Sequence, residues 1–200
     1  ICIVGAGCSG FTTAKRLKDF AIAYDHFEMS DNIGGTWYHK NPNGKSACYQ
    51  SLHIDTSKFR LAFEDYAVPD DWPDFPHHSQ LFQYFNDYVD HFGLRENITF
   101  NTAVEDARRD ENGLWQVRLS TGETRSYGAL VVANGHHWDA KTPHEYGDNF
   151  AGVQMHSHDY DSPFEPHDVR GKTVLVVGVG NSAMDIASEV SQRSMAKKCF

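Results

Sequence analysis

No two of the four cysteines in this chain lie close enough to act as a pair. Cys2, Cys8, Cys48 and Cys199 form neither Cys-x-x-Cys nor any other close spacing, which argues against a dithiol relay and a cysteine zinc site. Unpaired cysteines fit a reducing, cytoplasmic compartment. Long apolar runs are also missing. The longest, Ala129-Leu130-Val131-Val132-Ala133 and Val174-Leu175-Val176-Val177, are strand-sized and far short of the roughly 20 residues that cross a bilayer, so no membrane segment is expected. Basic runs are absent as well. Lys and Arg total 18 against 27 Asp and Glu, a net charge of −9, and no stripe exists to track phosphates, so nucleic acid is not an expected partner. Histidine is the plentiful residue, with 12 copies including the pairs His77-His78 and His136-His137. Neighbours on a strand face opposite ways and chelate poorly, so no metal site is expected.

What the chain does contain is two glycine-rich loops, Gly5-Ala6-Gly7-Cys8-Ser9-Gly10 and Gly178-Val179-Gly180-Asn181-Ser182-Ala183, each directly after a short apolar, β-branched run. This strand–turn–helix setting is what the dinucleotide fingerprint G-x-G-x-x-G/A requires. The first glycine makes the tight turn, the second lets backbone approach a pyrophosphate, and the third brings helix close to strand. Free N–H groups at the helix start then meet phosphate charge. Glu28 ends the following strand 18 residues beyond Gly10, near the spacing of about 20 for a ribose-binding carboxylate. Ala183 in place of the last glycine still permits close packing. Two such loops in one chain imply two dinucleotides and electron transfer between them.

The rest of the pattern reads as an α/β protein. A strand over 1–4, a helix over about 7–20 and a strand over about 23–27 open a Rossmann unit. Gly34-Gly35-Thr36-Trp37 sits where a cofactor-covering loop would leave the second strand. Pro69, Pro73 and Pro76, with Trp72 and Phe75, mark an aromatic loop. Leu81, Phe82, Phe85, Tyr88, Val89 and Phe92 at 3–4 spacing predict a helix over about 79–92. A hairpin over 115–127 leads into a buried strand over 129–133. These units divide the chain into a first nucleotide domain over 1–142, a connection over 143–170 and the start of a second nucleotide domain over 171–200. The sequence opens without Met inside an apolar strand and stops at Lys197-Lys198-Cys199-Phe200, so it reads as cut at both ends.

Between the loops, Phe150-Ala151-Gly152-Val153-Gln154-Met155-His156-Ser157-His158-Asp159-Tyr160 matches F-x-G-x-x-x-H-x-x-x-Y. With the order of the other motifs, the whole chain resembles the first part of the flavin-containing monooxygenases. The resemblance implies a Rossmann-type FAD-binding domain into which a second Rossmann-type, NADPH-binding domain is inserted, the second only partly present here. It implies FAD and NADPH as cofactors and a small-molecule substrate with O2 as partners. It also implies oxygenation of a nitrogen or sulfur centre through a flavin C4a-hydroperoxide, as in N,N-dimethylaniline monooxygenase activity. By position, Gly5, Ala6, Gly7, Cys8, Ser9 and Gly10 meet the FAD pyrophosphate and Glu28 its ribose, with Gly35, Thr36 and Trp37 near the flavin. Ile54, Asp55 and Thr56 fall in the segment between flavin and nicotinamide. Gly178, Gly180, Asn181, Ser182, Ala183, Met184 and Asp185 form the NADPH loop, and Val104 contributes a backbone contact to adenine.

Two positions depart from the family pattern. Asp55 stands where many members have Asn, and Tyr160-Asp161 stands where the fingerprint continues with Lys or Arg. The second departure, and the Thr of GGTW, lean toward Baeyer–Villiger enzymes, which insert oxygen beside a ketone. Against that, the Cys-Asp pair typical of those enzymes reads Cys48-Tyr49 here. Both subtypes stay open, as does a dinucleotide-binding fragment without turnover and a homo-oligomeric assembly. Asp55 is the expected catalytic residue, the alternative being that it fixes the loop or the nicotinamide ribose. A carboxylate near the flavin disfavours an anionic peroxide, so a hydrogen bond from it would keep the terminal oxygen protonated.

Overall fold

The computed structural model describes residues 1–142 and 149–193, together with the backbone of 196–199. Pro143, at the start of the expected connection, and Phe200, at the end of the chain, lie outside the described residues.

The apolar run ahead of the first glycine loop forms β1 (Cys2–Val4), which sits inside a parallel sheet. β2 (Asp25–Phe27) pairs with one side of it and β7 (Leu130–Val132) with the other, and β3 (Ile98–Thr99) lies beyond β2. The order is β3-β2-β1-β7. Ile3 and Cys2 have no exposed surface, as expected of a parallel strand covered on both faces. Helix α1 (Cys8–Asp19) follows β1 directly and turns Phe11 and Ala14 into the core.

A short helix α2 (Lys58–Leu61) precedes α3 (His78–His91). His77 starts α3 with its side chain, whose Nδ1 accepts from the Ser79 N–H at 3.2 Å, while Gln80 Oε1 accepts from the His77 N–H at 3.0 Å. These bonds satisfy amides that the first helical turn leaves unpaired. Leu81, Tyr84, Phe85, Tyr88 and Val89 then pack with Ala6, Phe11 and Ile33 into one core. The helix begins one residue earlier than the periodicity predicts and ends one earlier, within the usual fraying of helix ends. Tyr84 is a difference of substance. Absent from the expected apolar face, it is almost fully buried, because its hydroxyl donates to Tyr66 O at 2.5 Å and accepts from the Phe63 N–H at 2.9 Å. Phe82 and Phe92, expected on that face, are only half-buried.

β4 (Val104–Arg109), β5 (Trp115–Leu119) and β6 (Thr124–Tyr127) form an antiparallel sheet. The predicted hairpin is therefore two-thirds of a meander, whose inner face buries Val117, Leu119 and Tyr127 with Cys2 and Phe27. A second βαβ unit comprises β8 (Thr173–Val176), α4 (Asn181–Ser191) and β9 (Ala196–Cys199), with β8 and β9 parallel. Its helix packs Ile186 and Val190 against Tyr160, Val169 and Tyr49, the last from far upstream in the chain.

The tightest point is the turn after β1. Gly5 has φ +93°, and the Gly10 Cα comes so close beneath it that a Cβ added there would lie 1.8 Å from the Gly5 carbonyl oxygen. Gly10→Ala is therefore expected to destabilise the chain by about 3 kcal/mol or more, the upper end of overpacking effects, read as a lowered urea midpoint.

Candidate cofactor and active site

The first loop is braced from below by charge and by a neutral ring. Glu28, at the end of β2, is buried and accepts from the Ala6 N–H at 2.6 Å through Oε2 and from the Ser30 N–H at 2.8 Å through Oε1. The sequence places this residue on a ribose. In the structure its oxygens hold backbone, and each keeps further lone-pair capacity. His26, one turn of the pleat away on β2, donates from Nε2 to Gly5 O at 2.9 Å. Burial pushes its pKa down, which keeps the ring neutral.

On the open side, the residues fit a bound diphosphate. Gly7 is the N-cap of α1, in extended conformation, and no side chain caps the helix. A Cβ on Gly7 would meet nothing nearer than Gly35 Cα, at 3.8 Å. Protein packing thus gives no reason for glycine at this position, whereas the close approach of a ligand does. The Gly34 N–H donates to Ala6 O at 3.1 Å, tying the turn Gly35–Trp37 against the first loop.

The second loop repeats the design. Gly178 has φ +129°, Gly180 is the uncapped N-cap of α4, and a Cβ on Gly180 would meet nothing within 4 Å. Ala183 stands in ordinary contact with Gly178, its Cβ 3.6 Å from where a Gly178 Cβ would be. Asn181 Nδ2 donates to Asp55 Oδ2 at 2.5 Å, so the second loop is tied to the segment that follows the first. Between them runs a cleft of about 1030 Å3, at the upper end of small-molecule sites. Thr36, Trp37, Ile54 and Asp55 line one wall, and Asn181, Ser182, Met184 and Asp185 line the other.

The family described as FMO-like, flavin-binding monooxygenase-like, matches residues 1–200. The chain belongs to this family. Flavin-containing monooxygenase 5 of Rattus norvegicus is 37% identical over 215 residues, which cover 100% of this chain and 39% of that protein. The S-allyl-L-cysteine S-oxygenase of Allium sativum superposes with a TM-score of 0.84 at 28% identity, over 99% of this chain and 49% of its own. The structure of OTEMO complexed with FAD and NADP superposes with a TM-score of 0.76 at 25% identity, over 100% of this chain and 38% of its own. This flavin-binding monooxygenase-like chain therefore spans about two-fifths of the length of the curated relatives it matches.

Of the remaining residues read from the sequence, Gly5 makes the turn after β1, and Cys8, Ser9 and Gly10 open α1. Thr56 follows Asp55 and does not line the cleft, and Val104 opens β4, two residues after Thr102, whose N–H donates to Glu28 O at 2.9 Å. The sequence did not single out Tyr49, Ser51 or Glu189 individually, yet all three line the cleft. Glu189 follows Asp185 by four residues, a helical spacing that puts both acids on one face. The Tyr160-Asp161 departure also has a physical counterpart. Asp161 accepts from His39 Nε2 at 2.5 Å and pairs with Lys40 Nζ at 3.1 Å. Burial alone would raise its pKa, but these two partners outweigh it and hold the carboxyl below its ordinary value. Among the described residues, no group of three or more His, Cys, Asp and Glu is placed to hold a metal ion.

His39 also stacks near His78, ring centroids 4.9 Å apart, and His78 stacks near His77 at 4.1 Å. His78 is buried, with Nδ1 unpartnered and Nε2 3.3 Å from Gln50 O. Burial and the neighbouring histidines push its pKa down to about 4. The unfolded chain takes up this proton near pH 6.5 and the folded chain near 4, so the contribution is complete above pH 6.5 and is lost as pH falls through that window. Stability is expected to drop by on the order of 1–2 kcal/mol from His78 between pH 7 and 5. Urea midpoints at the two pH values should show a smaller drop in His78→Gln.

Proposed function

We propose that the full-length protein is a monooxygenase that binds FAD at the first loop and NADPH at the second, and uses O2 to oxygenate a nitrogen or sulfur centre of a small molecule. The observation that carries this reading is the pair of uncapped helix starts at Gly7 and Gly180, together with one cleft lined by Thr36 and Trp37 from the turn beside the first loop and by Asn181 and Ser182 of the second. Each start is suited to a diphosphate. Support comes from the OTEMO complex, which holds FAD and NADP, from the S-oxygenase named above, and from a rat relative, 34% identical, named dimethylaniline monooxygenase [N-oxide-forming] 2.

FAD, when bound, supplies the oxygen-activating chemistry. The chain's part is to bind, orient and exclude water. The N–H groups of the first turn receive the FAD diphosphate, with Glu28 fixing the amide of Ala6. Trp37, Thr36 and Ile54 form the apolar and polar wall beside which flavin and nicotinamide meet. Asp55 keeps Asn181 on Oδ2 and has Oδ1 left to accept a hydrogen bond from the proton of the oxygen to be transferred. Among the described residues, Cys2, Cys8 and Cys48 take no part. Burial pushes the thiols of Cys2 and Cys8 up to about 11 and that of Cys48 up to about 12, which leaves them poor nucleophiles for disulfide chemistry.

The test is product analysis of the full-length protein with NADPH, O2 and three probes, namely a tertiary amine, a thioether and a cyclic ketone. N-oxide and sulfoxide formed with consumption of NADPH are expected. Lactone as the main product would replace this reading with the Baeyer–Villiger one, and absence of NADPH-dependent O2 uptake would contradict both.

A further inference from the structure

Two acids on α4 line the cleft, and each accepts from a hydroxyl of the facing chain. Asp185 Oδ2 accepts from the Tyr49 hydroxyl at 2.5 Å. Glu189 Oε2 accepts from the Tyr160 hydroxyl at 2.8 Å and from the Ser51 hydroxyl at 2.9 Å. Tyr49 and Tyr160 are 4% and 2% exposed, and their rings meet edge to face with centroids 6.2 Å apart. Burial, reinforced by the carboxylates beside them, pushes both phenol pKa values up, so both hydroxyls remain donors. The turn 49–52, closed by the Leu52 N–H donating to Tyr49 O at 3.0 Å, is further fixed by the Gln50 N–H, which donates to Asp161 O at 2.9 Å. Asn181, at the first position of the same helix, meets Asp55, three residues beyond this turn.

We propose that Tyr49, Ser51 and Tyr160 with Asp185 and Glu189 form a positioning seam, which sets how far the second nucleotide loop stands from the first and thereby fixes the nicotinamide over the flavin. The inference rests on the two-cofactor reading above. Three hydroxyls donating to two carboxylates spaced one helical turn apart define both the height and the rotation of α4. Asn181 alone would leave the helix free to pivot about its N-terminus. Charge-assisted hydrogen bonds are stronger than neutral ones, and burial of both tyrosines keeps water from competing at one end. Hydride transfer depends steeply on distance and alignment, so a seam remote from the reacting carbon still controls the rate.

The test uses the full-length enzyme with Tyr49→Phe, Glu189→Ala, Glu189→Gln and Ser51→Ala. Anaerobic stopped-flow reduction of the bound flavin by NADPH is expected to show a limiting rate lowered at least about 10-fold in Tyr49→Phe and Glu189→Ala, with the NADPH dissociation constant changed less than about 2-fold. Glu189→Gln keeps an acceptor oxygen for both hydroxyls and should recover most of that rate. Amide hydrogen exchange without added nucleotide supplies a readout independent of turnover. Peptides spanning 49–55 and 178–191 should exchange faster in Tyr49→Phe and Glu189→Ala, and to a smaller degree in Ser51→Ala at the exposed edge, while peptides from β1 stay unchanged. Unaltered exchange with an unaltered limiting rate would overturn the seam. So would weakened NADPH binding at a normal limiting rate, which would make these groups ligand contacts. Failure of NADPH to reduce flavin in the unsubstituted enzyme would instead remove the two-cofactor reading on which the seam rests.

Discussion

A backbone turn with no room for a side chain governs the rest of this structure. Gly5 and Gly10 approach so closely that only hydrogen atoms fit between the turn and the helix behind it, and this contact fixes where α1 starts. His26 and Glu28 stabilise the turn from β2, one through the Gly5 carbonyl and the other through the Ala6 amide. Both are buried; His26 lies in a strand only three residues long and Glu28 directly follows it. The register of β2 against β1 therefore decides whether the loop is supported, because a slip of one residue would turn His26 and Glu28 to the opposite face of the sheet.

Elements whose chemistry is local were legible in the sequence. The two glycine turns, the helices after them, α3 and the β5–β6 hairpin all carry their signals within about 15 residues. β3 did not, since Ile98 and Thr99 are two residues whose strand character comes from pairing with β2. β4 was legible only at Val104, because its alternation of acids, arginines and small residues, Glu105 to Arg109, looks solvated until Arg118 and Glu105 pair across the sheet. Tyr84 was missed because a tyrosine's burial depends on whether its hydroxyl finds partners, here supplied by residues 63 and 66.

The site divides along the same line. Residues that use backbone geometry, such as Gly7 and Gly180, were readable from their spacing. Residues that act through long-range partners were not. Glu28 could be recognised as an acid at a strand end, yet its grip on Ala6 and Ser30 needs the folded turn. Tyr49 meets Asp185, and Glu189 meets Ser51 and Tyr160, only when α4 docks on the turn 49–52. Asp161 likewise reads as a departure from a fingerprint until His39 and Lys40 are found against it. The first unit and the connection are thereby joined by ionic and hydrogen-bonded contacts at Asp161.

The central claim is that the open face at Gly7 exists for a dinucleotide. Its most direct test is the flavin content, read from visible absorbance after gel filtration, of the full-length protein and of Gly7→Val. About one FAD per chain in the unsubstituted protein, and its loss in a variant whose circular dichroism shows a retained fold, is the predicted result. A colourless unsubstituted protein that takes up no added FAD, or a Gly7→Val variant that retains its full complement, would contradict the account.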